Sequence, residues 1–98
     1  MSAGLQLEAW IARRRPPTPQ AFAPWMRPAD GAVEATSAAL AGEAHAALTR
    51  ALDSAVRPRR GAFDLLAADG FATWACEAAL ESTDADGELR AILQTLLN

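Results

Sequence analysis

The sequence predicts an all-α domain, on three observations. Alanine dominates the chain and β-branched residues are scarce, a composition that favours helix over strand. Tyrosine, a common strand residue, is absent. No segment alternates apolar and polar residues over five positions, so no half-buried strand is indicated. We expect a small up-and-down bundle of four main helices plus a short irregular Pro-rich helical segment.

Length and composition indicate one domain. The chain has 98 residues, of which 51% are hydrophobic and 21% charged, enough apolar surface for one core but not for two. We therefore expect residues 1–98 to form a single helical domain with a Pro-rich connection at about residues 16–28. The N-terminus lacks the basic and apolar regions of a secretory signal, and acidic residues interrupt the longest apolar stretch, so neither secretion nor a membrane span is expected.

The first helix is predicted over residues 5–14. Leu7, Trp10 and Ile11 follow the three- and four-residue spacing of one helical face. Pro16 disfavours helical conformation in the residue before it, so the helix should end there.

A short irregular helical piece is predicted next, over residues 19–27. Pro24 interrupts its hydrogen bonding and Pro28 closes it, so only one or two turns should form. Its large apolar residues are expected to pack at one end of the core; they are Phe22, Trp25 and Met26.

A long helix is predicted from Asp30, as N-cap, to about Val56, before Pro58. The next is predicted over residues 62–82 and has two apolar faces. The bulky face is Phe63, Leu66, Ala67, Gly70, Phe71, Trp74 and Ala78; the opposite, alanine-rich face is Leu65, Ala68, Ala72, Cys76 and Ala79. A helix that is apolar on two faces should be central, and Cys76 should then be buried and inert.

The last helix is predicted to begin between residues 83 and 86 and to run to Leu97. Its acidic start, with Asp84, Asp86 and Glu88, suits the positive end of the helix dipole. An alternative reading of this segment as a calcium loop fails, because Leu93 would occupy the position that requires a bidentate glutamate.

The sequence contains no motif that specifies catalysis, a cofactor or a metal. His45 is the only histidine and Cys76 the only cysteine, and the glycines are scattered singly, so no phosphate loop or cysteine-based zinc site is indicated. An acid on the bulky face of the helix over residues 62–82, Glu77, should need a partner. We expect a structural ion pair between Glu77 and Arg50 of the neighbouring helix.

Six of the nine arginines fall in two clusters, although the chain carries a net charge of −3. The clusters are Arg13, Arg14 and Arg15 after the first predicted helix, and Arg57, Arg59 and Arg60 before the helix over residues 62–82. Each cluster also suits the C-terminal end of a helix, where cations stabilise the dipole. If the first and third long helices run the same way, both clusters emerge at one end and form an arginine-rich pole.

These observations favour a small non-enzymatic helical protein, of the bacterial cytoplasmic type, that acts through protein–protein interaction or self-association without a cofactor. The partner would be another protein or a second copy, with the arginine pole or the apolar surface around Trp10 and Trp25 as candidate contact regions. Two alternatives stay open. One is anion or nucleic-acid binding at the arginine pole, which the net negative charge makes less favourable; the other is an enzyme or metal protein around His45 and the acidic residues.

Overall fold

The computed structural model of the chain describes residues 5–53 and 58–98. Its helices, in chain order, are α1 (Leu7–Ala12), a 3₁₀ helix (Ala23–Met26), α2 (Ser37–Asp53), α3 (Pro58–Leu80) and α4 (Ala85–Leu97). Within the described residues no strand forms apart from one isolated antiparallel bridge between Gln6 and Glu34. The predicted all-α class is confirmed.

Three long helices, α2, α3 and α4, form the body of the molecule. Arg50 near the end of α2 contacts Asp64 near the start of α3, so these two helices run antiparallel. Ser37 at the start of α2 donates a hydrogen bond to Glu88 at the start of α4, so α2 and α4 run parallel. The predicted bundle of four main helices is therefore confirmed only in part, because α1 has just six residues.

The segment before α2, over residues 30–36, contains a turn, a bend and one bridge residue where the sequence predicted helix. The backbone N–H groups of Leu7 and Glu8 donate to the carbonyls of Val33 and Gly31, at 2.7 and 3.0 Å. These bonds satisfy donors at the start of α1, which has no side-chain N-cap. The long helix consequently begins at Ser37 and not at Asp30.

Helix α2 begins where Thr36 caps it. The Thr36 hydroxyl accepts a hydrogen bond from the Ala39 N–H at 3.0 Å, as expected of an N-cap residue. The buried face of α2 repeats every three or four residues; it consists of Ser37, Leu40, Ala41, Ala44 and Ala47. The predicted end at Val56 lies outside the described residues.

Helix α3 begins at Pro58, four residues earlier than predicted. Proline suits the first helical position, because the N–H that it lacks would have no partner there. Its buried positions are Asp64, Ala67, Ala68, Phe71, Ala75 and Ala79. Alanines at buried positions of both α2 and α3 let the two helix backbones pack closely.

Only part of the alanine-rich face of α3 is covered. Ala68 and Ala79 are buried, but Leu65 is 55% exposed and Cys76 is also exposed. The prediction that Cys76 is buried is wrong, because no described segment covers its position on α3. No helix among the described residues combines the length and apolarity that a membrane span needs.

Helix α4 starts near the predicted position because of its cap. The Asp84 carboxylate accepts a hydrogen bond from the Gly87 N–H at 3.1 Å. A Cβ on Gly87 would lie 2.2 Å from Asp84 Oδ2, so the close cap depends on glycine at this position. Ile92 is the residue that α4 buries in the core.

The 3₁₀ helix packs on α3 at a glycine. A Cβ at Gly70 would lie 2.6 Å from Met26 Cε, so the absence of a side chain there lets the buried Met26 rest on the α3 backbone. This contact brings Trp25 alongside Phe63, with ring centroids 4.5 Å apart.

Replacement of Phe71 by Ala tests which side of α3 forms the core. Phe71 is 1% exposed, whereas Leu66 on the same helix is 55% exposed. We expect Phe71→Ala to lower the free energy of unfolding by about 3–5 kcal/mol. The control Leu66→Ala should lower it by less than about 1 kcal/mol. Urea unfolding followed by circular dichroism measures both, and equal losses would contradict the assignment.

Candidate functional site

One member of the first arginine cluster, Arg14, lies against acidic residues at and just beyond the C-terminal end of α3. The Arg14 guanidinium stacks over the Trp10 ring, 3.6 Å from its centroid. Its Nη1 lies 3.4 Å from a Glu77 carboxylate oxygen and 3.9 Å from one of Glu81. Two carboxylates and an aromatic face therefore already surround this arginine.

The second cluster lies at the opposite end of α3. Arg59 and Arg60 occupy its first turn, while Arg57 lies outside the described residues. Glu77 is about five turns further along the helix than Arg60, or roughly 25 Å at a rise of about 1.5 Å per residue. The prediction that both clusters form one arginine pole is wrong, because Trp10 packs on Trp74 and carries Arg14 to the acidic end of α3.

The two tryptophans named from the sequence have different surroundings. Trp10 is 6% exposed and makes an edge-to-face contact with Trp74, so it belongs to the core and offers little contact surface. Trp25 is half-buried and packs against both Phe22 and Phe63, which also contact each other. Only Trp25 is therefore placed to contact a ligand.

Four arginines meet at a cleft beside Trp25. The cleft has a volume of about 860 Å³, in the range of small-molecule and side-chain binding sites. Trp25 and Phe63 form its aromatic part, and its charged lining residues are Arg27, Arg50, Arg59, Arg60, Glu43 and Asp64. The described lining thus carries a formal charge of +2 on a chain whose net charge is −3.

Asp64 is the buried polar group of this cleft. Asp64 is 4% exposed, and its Oδ1 accepts a hydrogen bond from Arg50 Nε at 3.2 Å. Its Oδ2 is buried and has no hydrogen-bond partner among the described residues. The predicted pair of Arg50 with Glu77 is wrong: Arg50 bonds Asp64, in the second turn of α3, and the half-exposed Glu77 bonds Arg14.

Glu43 fixes the loop that carries Arg27. Both of its carboxylate oxygens accept from the backbone N–H of Ala29, at 3.1 and 3.2 Å. This bond ties the segment after the 3₁₀ helix to α2, and Arg27 in that segment lines the same cleft as the start of α3.

Sequence reasoning did not group these residues. Arg27 and Phe63 come from segments that meet only after folding, and Asp64 looked like one of several acids on a long helix. The one usable signal was the need of a buried carboxylate for a partner, which led to Arg50 but to the wrong acid.

His45 lies away from the cleft. Its ring Nε2 is 3.2 Å from the backbone oxygen of Asn98, at the end of α4. The described residues contain no group of three or more His, Cys, Asp or Glu side chains arranged to hold a metal ion.

A second concave surface runs beside the exposed leucines Leu65 and Leu66. Ala44, Ala68 and Ala72 also line it, and its described lining contains one charged residue, Asp69. Nothing in its chemistry indicates a particular ligand, whereas the cleft at Trp25 combines aromatic rings, four arginines and a buried acid.

Comparison of the chain with models of protein families, with curated proteins and with solved structures gives no match. The function of the cleft is therefore argued from the chemistry of its own side chains.

Removal of Arg14 tests its structural role. Arg14→Ala should lower the free energy of unfolding by about 1–2 kcal/mol, because it removes the stacking on Trp10 and the packing of the arginine stem. The neighbouring Arg13 is exposed, so Arg13→Ala should change it by no more than about 0.5 kcal/mol. Urea unfolding measures the free energy of unfolding of both variants. A loss in Arg14→Ala as small as that in Arg13→Ala would contradict the structural role of Arg14.

Proposed function

We propose that the protein is non-enzymatic and acts by binding another protein, whose acidic segment carries a bulky apolar side chain into the cleft at Trp25. The observation that carries this proposal is the meeting of four arginines with the stacked rings of Trp25 and Phe63. Arginine guanidinium groups bind carboxylates through paired hydrogen bonds, and aromatic pockets anchor the central residues of protein interfaces.

The layout of charge favours a protein segment over nucleic acid. A nucleic-acid surface needs a basic stripe that follows several phosphates. Here Arg14 already pairs with the acids at the far end of α3. The remaining arginine site is a single cleft about large enough for one or a few side chains. A compact positive site on a net negative chain suits a short acidic segment.

The polar groups in the cleft also favour binding over catalysis. Its described lining offers arginines and two carboxylates, without a histidine, cysteine or serine to act as nucleophile or proton carrier. Both carboxylates already accept hydrogen bonds from the protein itself. We place the protein in the cytoplasm, for which the single cysteine is the supporting feature.

Binding of a short acidic peptide tests the proposal. The probe is fluorescein-labelled Glu-Glu-Phe-Glu-Glu-amide, and fluorescence anisotropy measures its Kd. Arg59→Gln with Arg60→Gln should weaken binding by about tenfold, because two charge-assisted contacts are lost. The matched control, Arg13→Gln with Arg15→Gln, changes the same number of charges at the far end of α3 and should stay within about twofold of the native protein.

Several outcomes would contradict the proposal. They are failure of the peptide to bind, equal weakening in the two double variants, and tighter binding of a short oligothymidylate than of the peptide. A homodimer in sedimentation that the Arg59→Gln and Arg60→Gln pair abolishes would identify a second copy as the occupant and would overturn the choice of a different partner protein.

A further inference from the structure

We infer that a second copy of this chain docks on an exposed apolar surface shared by α3 and α4, and that the two copies form a weak two-fold dimer. This inference goes beyond the proposed function and does not rest on it. The surface, called here the leucine surface, consists of Leu65, Leu66 and Asp69 of α3 with Arg90, Leu93 and Leu97 of α4.

The leucine surface is continuous across the two helices. The second concave surface is lined in part by Leu65, Leu66, Asp69 and, from α4, Leu96. At about 100° per residue, Leu93 and Leu97 lie about 60° and 100° beyond Leu96 around α4, in the direction away from the buried Ile92. The exposed leucines of α4 therefore extend outward from the same concave surface that the α3 leucines line.

The apolar area approaches what a small dimer interface needs. Leu65 and Leu66 are each 55% exposed, Leu93 is 59% exposed and Leu97 is 82% exposed. With about 120 Å² for a fully exposed leucine side chain, the four present roughly 300 Å². A standard interface covers about 800 Å² of each partner, a little over half of it apolar. The leucines thus supply most of the apolar share of a small interface, where weak association is usual.

Two opposite charges on the leucine surface lack ion-pair partners within the described residues. Asp69 lies about one turn after Leu65 and Leu66, and Arg90 lies about one turn before Leu93. Both side chains are exposed, and neither forms an ion pair with another described residue.

This charge pattern favours a second copy as the occupant. In a two-fold dimer, a residue that contacts a second residue of the partner is matched by the reverse contact on the other side of the axis. Asp69 of each copy can therefore meet Arg90 of the other, so the surface is complementary to itself in charge as well as apolar.

The cleft at Trp25 stays open in such a dimer. Phe63, which lines the cleft, lies about 200° around α3 from Leu65, so the two sites face different sides of the helix. Each copy in the dimer can therefore still bind at its own cleft.

Charge reversal tests the inference. Sedimentation equilibrium of the native protein, up to about 300 µM, should show a reversible monomer–dimer equilibrium with a Kd of about 1–100 µM. Asp69→Arg and Arg90→Asp should each weaken dimerisation at least about tenfold, because like charges then meet on both sides of the axis. An equimolar mixture of the two variants should form a heterodimer with a Kd within about threefold of the native value, because every reversed charge then faces an opposite one. The matched control, Arg13→Asp, reverses an exposed charge at the end of α1 and should keep the native Kd within about twofold.

The outcomes decide the inference without reference to peptide binding. A native protein that stays monomeric at about 300 µM would overturn it and leave the leucine surface to a different protein. Dimerisation that neither reversal weakens would also overturn it, as would a mixture of the two variants that stays monomeric. A dimer abolished by Arg59→Gln with Arg60→Gln, but not by these reversals, would place the contact at the cleft instead. Failure of the acidic peptide to bind would overturn the proposed function and leave this inference standing.

Discussion

Close packing of α2 on α3 is the constraint on which the rest of the structure depends. Both helices contribute alanines to the buried core, and small side chains allow helix axes to approach toward the short end of the usual range of about 8–10 Å. At that separation Arg50 of α2 can reach Asp64 of α3. The same pair forms the inner wall of the cleft, so the alanine contact determines where the candidate site lies.

The arginines at the two ends of α3 have different surroundings. At its C-terminal end, carboxylates and the Trp10 ring engage Arg14, which makes that arginine part of the fold. At its N-terminal end, Arg59 and Arg60 are exposed beside half-buried aromatic rings. Exposed side chains of the same charge beside an apolar surface are typical of a binding site. Their mutual repulsion is relieved when a partner of opposite charge covers them.

The sequence predicted the features that local patterns control. The absence of strand patterning gave the fold class, and the acidic residues around Asp84 located the start of α4 to within two residues. The prediction that the bulky face of α3 is buried is only partly right, since Phe71 is buried while Leu66 is exposed. What could not be predicted depends on contacts between distant segments.

Two such contacts explain the largest errors. Backbone donors of Leu7 and Glu8 bind carbonyls of residues 31–33, which form a turn and a bend and not a helix, and no periodicity in that segment reveals it. The packing of Trp10 on Trp74 turns the first arginine cluster toward acids at the end of α3, so a charge layout inferred from helix directions alone failed. The cleft itself joins side chains from three separate segments and appears only in the folded chain.

The most direct measurement of the central claim uses the three tryptophans of the chain as reporters. A nitrogen–proton correlation spectrum resolves their indole N–H signals during titration with Glu-Glu-Phe-Glu-Glu-amide made from unlabelled amino acids. Trp25 lies in the cleft, whereas Trp10 and Trp74 pack together near the other end of α3. The account predicts that the Trp25 signal moves while the other two hold their positions. Movement of Trp10 and Trp74 with Trp25 unchanged, or no movement of any of the three, would contradict it.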